Sequence, residues 1–384
     1  MSRAWAFTVS VLAALVLAVG IATCRFPGVS RAEFLDRSWD RYLELYLADE
    51  GYVLDPRRNG GNGGVTSEGQ GYALLRAVWE DDPGTFDRVF RWTETHLKRD
   101  DGLYAWLWSP EGGPGGGETA EGRVVDANTA TDADQEIAWA LSLAADAFQR
   151  PEYRDRAREI VRAVRIHTGI DLPGGWFPSA GNWAVAERIV NPSYFVPYAY
   201  GAFHALDPEG GWDRMADRGY DLLEAILEPS DVRLVPDFTS LDSGGRPRPL
   251  PEGTGLSTDF SFDAVRIFWR VEADCVLTGR PRACADPLNV SEVAPRLPVH
   301  GWIVSRYALD AEPLTDEVST SFYGAVLPAF RRHAPEVAET VVEPGLEGRT
   351  LSELMEAEMR YYDHNWVWFG LALDRGVITD WASG

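Results

Sequence analysis

Apolar positions along the chain follow two helical patterns that alternate. Residues 137–144 are apolar on nearly every face, whereas residues 152–168 are apolar on one face only. A helix that is apolar all round is buried, and an amphipathic helix covers such a core from outside. About a dozen segments alternate in this way, which predicts an all-α fold with two concentric rings of helices. Polar or Gly-rich loops precede the apolar segments, so the pattern places a functional site where the inner helices begin.

A single carboxylate, Glu68, follows the Gly-rich loop 60–64 and opens an apolar helix that runs through Trp79. A Gly-rich loop before a helix can cradle phosphate, but this one has no Walker lysine and no preceding strand. One interpretation of Glu68 is an acid in the first helical turn, where the helix dipole favours it. The other is a carboxyl held against apolar walls, which raise its pKa and make it a proton donor.

Two further acids, Asp132 and Asp134, stand at the start of the buried helix that contains residues 137–144. Burial of a carboxylate is costly unless the group is paired or used. The structural interpretation is that Asp132 or Thr131 caps the helix, while the other acid serves its dipole. The functional interpretation is that the helix delivers acids to an interior site.

Asp263 and Arg266 are spaced i and i+3 in an otherwise apolar segment, so they share a helix face. They form either an ordinary ion pair within one helix or a pair in which the arginine orients a functional carboxylate. Because their neighbours are apolar, we expect the pair to be buried.

Separate strings of the chain, in order, resemble segments of glycoside hydrolase family 8. They include residues 67–72 (SEGQGY), 130–134 (ATDAD), 191–195 (NPSYF) and 234–238 (LVPDF). Residues 262–266 (FDAVR) resemble the family segment that carries an aromatic residue, Asp, Ala and Arg. Several such strings in the family's order are far more specific than any one of them.

This resemblance covers the chain from about residue 30 to its end. It implies an (α/α)6 barrel after an N-terminal hydrophobic segment, with residues 31–384 as the catalytic domain of an inverting, endo-acting hydrolase of β-1,4-linked glucan. Three positions depart from the family: Ser142 stands where an aliphatic residue or Gly is usual, Phe262 where Tyr is usual, and His364 where Gln is common. A lone His is more often a core residue than a catalyst, so we assign His364 no catalytic role.

The resemblance also implies roles for individual side chains. Glu68 would be the general acid that protonates the leaving oxygen, and Asp263 the base that activates water. Asp132 would complete the catalytic set by hydrogen-bonding the sugar in the central subsite, with Asp134 supporting it or capping the helix. The residues expected to contact substrate, or to support those that do, are Trp106, Trp183, Arg266, Tyr194, Tyr361, Tyr362 and Asp134.

Other interpretations stay open. The same family contains β-1,4-xylanases and chitosanases, and an acidic surface suits cationic chitosan. A glycan-binding protein that has lost its chemistry would lack Glu68 or Asp263, and both are present. A polysaccharide lyase on a similar helical toroid would need a basic cleft, for which the sequence gives no motif.

Composition limits the classes of molecule that the protein is expected to bind. The chain has 384 residues and a net charge of −23, which argues against nucleic-acid binding because that needs a basic face. Its 15 Trp are a high count, and we expect most of them to pack in the core and a few to stack on sugars. No Cys/His cluster has zinc spacing. We therefore expect no metal and no cofactor, a polysaccharide as the partner, and a monomer.

Residues 1–30 form a separate unit. An apolar run over residues 4–23 is flanked by arginines and is about long enough to span a bilayer. It predicts a signal peptide or an N-terminal membrane anchor, and hence an extracytoplasmic domain that is secreted or held at the outer face of the cytoplasmic membrane. Thr23 directly before Cys24 fits lipoprotein processing poorly, so we expect no lipidation.

Two cysteines, Cys275 and Cys284, flank a Gly-Arg-Pro-Arg turn. In an oxidising compartment they would close a short disulfide loop. Two free, buried thiols are the alternative.

Overall fold

The protein is built mainly from helices in a computed structural model, which describes residues 28–110, 122–228, 230 and 232–378. The predicted hydrophobic segment, with Cys24, lies in residues 1–27 and so outside the described residues. No helix within the described ranges is long and apolar enough to cross a membrane. The α-helices, in chain order, are α1 (Arg31–Tyr46), α2 (Arg58–Gly61), α3 (Ser67–Trp79), α4 (Pro83–His96), α5 (Thr131–Ala147), α6 (Pro151–Thr168), α7 (Tyr200–Leu206), α8 (Met215–Leu227), α9 (Arg266–Thr278), α10 (Pro281–Cys284), α11 (Val290–Val293), α12 (Thr320–His333), α13 (Pro335–Val337), α14 (Glu343–Gly345), α15 (Arg349–Glu356) and α16 (Tyr361–Asp374).

The helices form two rings. The inner ring consists of α3, α5, α7, α9, α12 and α16, in which α3 packs on α5, α9 on α12, and α12 on α16. Outer helices cover them: α4 packs on α3, α6 on α5, and α1 on α16. The inner helices other than the short α7 are buried over most of their surface, α7 buries only Tyr200, Phe203 and Leu206, and the outer helices bury a single face. The alternation seen in the sequence is therefore the (α/α)6 barrel that the resemblance implies.

Aromatic side chains close the inner ring between its first and last helices. The Tyr72 ring on α3 meets the rings of Trp366 and Phe369 on α16 edge-on, at centroid distances of 5.7 and 5.3 Å. The Trp269 indole on α9 donates to the Phe369 carbonyl at 2.8 Å. Large aromatic rings bury much apolar area and, once their N–H groups are bonded, suit an interior. Tryptophan therefore serves largely to pack this core, as predicted.

Arg76 is a buried arginine among the aromatic side chains of the core. Its guanidinium is 4.4 Å from the centroid of the Tyr42 ring and 4.7 Å from that of the Trp368 ring. Its Nη1 atom is 3.3 Å from Nδ1 of His364, which is fully buried. Burial, with the nearby Arg76 charge, holds the pKa of His364 well below its usual range. His364 is thus a neutral core residue away from the cleft described below.

The Asn191-Pro192 pair suits a helix start and predicts an apolar helix through Ala205, but the structure divides this segment. Two separate 3-10 turns, Pro192–Tyr194 and Pro197–Ala199, precede the short α7. Pro197 lacks an amide hydrogen and disfavours helical backbone at the residue before it, so a helix begun at Asn191 breaks there. As a result Tyr194 is presented from a tight turn rather than from a helix.

Short antiparallel strands connect the loops between the helices. They are β1 (Val65–Thr66), β2 (Leu107–Ser109), β3 (Arg123–Asp126), β4 (Gly169–Leu172), β5 (Gly175–Pro178), β6 (Ile189–Val190), β7 (Thr239–Leu241), β8 (Pro247–Arg248), β9 (Pro298–Val299) and β10 (Trp302–Ile303). They pair as β1-β2-β3, β4-β5, β6-β7-β8 and β9-β10. The first sheet matters for the site, because β1 leads into Glu68 and the Ser67 amide donates to the Trp106 carbonyl at 3.0 Å.

A disulfide joins Cys275, near the end of α9, to Cys284 in α10, which settles the alternative in favour of the bridge. We expect replacement of both cysteines by Ala to lower the free energy of unfolding by about 2–4 kcal/mol, because the bridge restricts a short loop in the unfolded chain. Chemical denaturation of the two proteins measures the difference. Reduced wild type should unfold like the double variant, and equal midpoints for the oxidised wild type and the variant would contradict a stabilising bridge.

Candidate active site

Four charged side chains meet where inner helices begin. Glu68 lies in the first turn of α3 and Asp132 in the first turn of α5. Arg266 opens α9, with Asp263 three residues before it. The N-terminal end of a helix carries partial positive charge and stabilises nearby carboxylates. The fold therefore collects three acids from distant parts of the chain at one end of the inner ring.

Arg266 connects these acids. Its Nη1 atom donates to Glu68 Oε2 at 2.5 Å and to Asp132 Oδ2 at 3.0 Å. Its Nη2 atom donates to Asp263 Oδ1, and its Nε atom donates to the Asp263 carbonyl at 3.0 Å. The guanidinium is 1% exposed and lies 5.3 Å from the Tyr194 ring centroid. A rigid, permanently charged fork can hold three carboxylates at fixed positions, which a lysine ammonium would not do.

The three carboxylates differ in exposure. The side chain of Asp263 is 36% exposed, that of Glu68 is 13% exposed, and that of Asp132 is fully buried. Glu68 and Asp263 bind different nitrogens of Arg266, so the width of the guanidinium separates them. Two acids that reach the same open space but do not touch leave room for a reacting bond between them.

Three carboxylates facing one guanidinium carry excess negative charge. Burial raises the pKa of Asp132 to about 8, although the Arg266 charge opposes the rise. Burial likewise raises the pKa of Asp263 to about 6, again against Arg266. The deepest acid is therefore the one that most readily keeps a proton, and the more open Asp263 is ionised at neutral pH.

A cleft runs across this cluster in two halves that share Glu68, Asp263 and Arg58. The first half is a cavity of about 380 Å³ with aromatic walls, and the second is a cavity of about 360 Å³ lined mostly by charged side chains. Walls of the first half include Trp106, Trp183, Tyr194 and Phe238, and those of the second include Arg57, Phe262, Arg266 and Tyr362. The acids thus lie at the middle of an extended groove, with space for ligand on either side.

Two residues expected to contact or support substrate binding lie away from this groove. Asp134 is fully buried and accepts a hydrogen bond from the Tyr104 amide at 3.0 Å, so it anchors the segment that leads to Trp106. The Tyr361 ring is buried against Tyr46, at a centroid distance of 5.1 Å. Asp134 therefore has a supporting role, as expected, although its partner is the Tyr104 amide. For Tyr361 we replace substrate contact with a role in packing.

Phe262 occupies the position where the family resemblance leads one to expect Tyr. Its side chain is 39% exposed in the second half of the cleft, beside the Tyr362 ring at a centroid distance of 6.0 Å. The Tyr362 hydroxyl donates to the Phe262 carbonyl at 2.7 Å. Phe262 therefore supplies an apolar surface near the acids but no hydroxyl group.

Two supporting residues were not identified from the sequence. Asp237 accepts from the Ala264 amide at 2.8 Å and from both the amide and hydroxyl of Ser261, so it fixes the turn that carries Asp263. Asn191 donates to Asp263 Oδ1 at 3.0 Å. Both lie within strings that resemble the family, but their partners are far away in the sequence, so the strings alone gave no role. Across the described ranges, no group of three or more His, Cys, Asp or Glu side chains is arranged to hold a metal ion.

Comparison with known proteins agrees with this geometry. The Endoglucanase of Cellulomonas uda is 29% identical over 235 residues, which are 60% of this chain and 61% of that protein. Endoglucanase A of Acetivibrio thermocellus is 28% identical over 309 residues, 77% of this chain and 60% of that protein. This chain thus spans about 60% of the length of these curated relatives.

Solved structures share the fold. An endo-1,4-D-glucanase from Vibrio fischeri ES114 superimposes with a TM-score of 0.70 at 23% identity, covering 87% of this chain and 93% of that one. A cold-adapted family 8 xylanase gives a TM-score of 0.72 at 15% identity, covering 93% and 98%. Residues 3–288 match the family described as glycosyl hydrolases family 8. With the barrel, the acids and this match in agreement, the chain belongs to glycosyl hydrolases family 8.

Proposed function

We propose that the protein is an inverting, endo-acting hydrolase of β-1,4-linked glucan, with Glu68 as general acid and Asp263 as general base. The observation that carries this proposal is the pair of acids at the middle of a groove that continues on both sides of them. A glycan can extend past the acids in both directions, which suits cleavage within a chain. The relatives named endoglucanases support a glucan as substrate.

The chemistry follows from the positions of the acids. Glu68 gives a proton to the glycosidic oxygen as the bond from that oxygen to the anomeric carbon breaks. Asp263 takes a proton from a water molecule whose oxygen forms the new bond on the opposite face of the sugar. Asp132 is fully buried and holds Arg266 at 3.0 Å, and the hydrogen bond to the central sugar that the resemblance implies for it belongs to this proposal. Arg266 keeps Asp263 oriented and ionised. The proton lost by Glu68 and that gained by Asp263 exchange with water after each turnover.

The aromatic walls support a neutral, β-linked polymer. Trp106 and Trp183 line the first half of the cleft, and Trp183 is 39% exposed. Flat aromatic rings stack on the apolar faces of sugar rings, which a β-1,4-linked chain presents along its length. Xylan and chitosan share that linkage, so they are the substrates that a test must compare with glucan.

We further propose that the protein acts as a monomer outside the cytoplasm. The bridge between Cys275 and Cys284 supports this location, because disulfides persist in oxidising compartments. The apolar run over residues 4–23 would direct export, and would anchor the protein to the membrane if it is retained. Separating membrane from soluble fractions, with wild type and a variant lacking residues 4–23, tests export and anchorage.

Reducing-sugar release from soluble cellulose, mixed-linkage β-glucan, xylan and chitosan tests the proposed activity. We expect the fastest release from one of the two glucans, together with a rapid fall in viscosity, because internal cleavage shortens chains early. Preferred release from xylan or chitosan would overturn the choice of substrate. Binding to a polymer without release from any of the four would overturn the activity itself and favour a glycan-binding protein.

We expect kcat/KM to decrease at acidic pH through an ionisation near pH 6. The base must be ionised to accept a proton, and burial, opposed by Arg266, raises the pKa of Asp263 to about 6. Below that pH the carboxyl gains a proton and the base is lost, whereas above it the base is available. Initial rates between about pH 4 and pH 8 measure this decrease. A rate that stays constant down to pH 4 would contradict the assignment of Asp263.

A further inference from the structure

The side chain of Asn191 has only one orientation that satisfies its neighbours. Its Oδ1 atom accepts from the Ser193 amide at 3.0 Å and from the Ser193 hydroxyl at 2.7 Å. Because the Ser193 amide can only donate, this position requires an acceptor, and the NH2 group of Asn191 must face the other way. There Nδ2 donates to Asp263 Oδ1 at 3.0 Å, and Asn191 is only 3% exposed. A buried amide that is bonded at both its oxygen and its nitrogen holds its partner firmly.

The hydrogen bonds to the Asp263 carboxylate fall on one oxygen. Oδ1 accepts from Arg266 Nη2 and from Asn191 Nδ2. Among the described residues, no side chain or amide donates to Oδ2, and the side chain is 36% exposed. An oxygen that already accepts two hydrogen bonds has less electron density to offer a proton. Water in the cleft therefore meets Oδ2 as the free and more basic oxygen.

We propose that Asn191 is a positioning residue for the general base: together with Arg266 it holds Oδ1, so that Oδ2 is the oxygen that takes the proton from water. This inference rests on the proposed function. Asn191 also accepts the Ser193 amide at the start of the Pro192–Tyr194 turn, so the same side chain sets the position of the Tyr194 wall relative to the base. Asn191 thus contacts both the base Asp263 and the turn that carries the Tyr194 wall of the cleft.

Other groups act on the same carboxylate and must stay unchanged in a test. These groups are charged or titratable and lie on six different segments: Arg58 on α2, Glu68 on α3, Tyr194 in the turn before α7, Asp237 in the loop before β7, Arg266 on α9 and Tyr362 on α16. None of them is replaced when Asn191 is changed. A shift in the pH profile of Asn191→Ala then reports the loss of the hydrogen bond alone, whereas a shift in Asn191→Asp reports that loss together with the added negative charge.

The test compares Asn191→Asp and Asn191→Ala with wild type by kcat, KM and pH profile on the preferred glucan. Asn191→Asp keeps the shape of the side chain but sets a carboxylate against Oδ1, so we expect the acidic limb to move upward by about one pH unit or more. Asn191→Ala removes the donor, so we expect a smaller upward shift. In both variants kcat should fall by about tenfold or more, a part of what a positioned base contributes, with KM changed less than about twofold.

Ser193→Ala is the matched control. It removes the 2.7 Å hydroxyl contact to the same amide at the same depth, but leaves the Ser193 amide and the base contact in place. We expect it to keep the wild-type pH profile even if it lowers thermal stability. An unshifted acidic limb in Asn191→Asp, or a rise in KM alone, would overturn the inference. If Asn191→Ala does not fold, Asn191→Asp decides, and an inactive wild type would instead refute the proposed function.

Discussion

We expect kcat on β-1,4-glucan to fall by about 10²–10⁴-fold when Glu68 is replaced by Gln or Asp263 by Asn, the range that a positioned proton-transfer group contributes. Both substitutions keep the size of the side chain and remove its ability to exchange a proton. Binding should change little, because the aromatic walls of the cleft remain. Reducing-sugar assays on both variants, with KM measured separately from kcat, test this expectation.

The two acids can be distinguished by the leaving group. A cello-oligosaccharyl fluoride loses fluoride without needing a proton, so Glu68→Gln should hydrolyse it at close to the wild-type rate, whereas Asp263→Asn should stay inactive. Asp221→Asn, whose side chain is 70% exposed on the outer helix α8, is a matched control that should retain full activity. Wild-type kcat in either cleft variant on glucan would remove that residue from the mechanism.

The second large effect concerns stability as well as activity. Replacing Arg266 by Ala leaves Asp132 fully buried without its partner, beside Glu68 and Asp263. Removing one partner of a buried ion pair typically costs about 3–5 kcal/mol, and we expect a loss of this size in the free energy of unfolding together with loss of activity. Arg266→Lys should recover part of the stability but little activity, since an ammonium lacks the fork that holds several acids.

The loss caused by Arg266→Ala should depend on pH. Without the guanidinium, the pKa values of Asp132 and Asp263 rise further above their unfolded values, so the penalty is largest where these two acids would otherwise be ionised. We therefore expect the deficit to shrink as the pH is lowered from about 7 to 5, because the acids become protonated. Denaturant unfolding at both pH values measures this, with Arg349→Ala as the control. Arg349 is 92% exposed in its ion pair, so a change of about 0–1 kcal/mol is expected there. A deficit that grows towards acidic pH would contradict the charge-based explanation.

The sequence predicted the ring architecture because burial leaves a regular signal. The all-round apolar helix at residues 137–144 and the one-sided helix at 152–168 became α5 and its outer neighbour α6. The same signal placed the site at the starts of the inner helices. The hydrophobic pattern did not predict the break at Pro197, which lacks an amide hydrogen and divides the segment before α7 into turns.

Side-chain direction explains the errors within the site. Asp134 was expected to support Asp132 or to cap the helix. The two residues are two positions apart on α5, so their side chains point to nearly opposite sides, and Asp134 holds the Tyr104 amide instead. Tyr361 and Tyr362 are adjacent in the first turn of α16, and only the second lines the groove. Which of two such neighbours faces the site is set by how the helix is rotated against its partners. Sequence strings carry no such information.

Contacts between residues far apart in the sequence were the other feature that the sequence did not predict. The Asp263–Arg266 pair was expected from its spacing, but Asp263 precedes α9 and is 36% exposed, so only Arg266 is buried as predicted. The reach of Arg266 to Glu68, 198 residues away in the chain, was not expected. The Asn191–Asp263 contact joins residues 72 apart. Such contacts depend on the closure of the ring, which brings the starts of separate helices together, and no local pattern records them.

The stereochemistry of the first product tests the central claim most directly. Proton NMR during the first minutes of cello-oligosaccharide hydrolysis distinguishes the two anomers before they interconvert. If Glu68 protonates the leaving oxygen while Asp263 directs water to the opposite face, the α-anomer must form first from the β-linked substrate. Initial formation of the β-anomer would mean that a carboxylate attacks the sugar directly, and it would contradict the roles assigned to both acids.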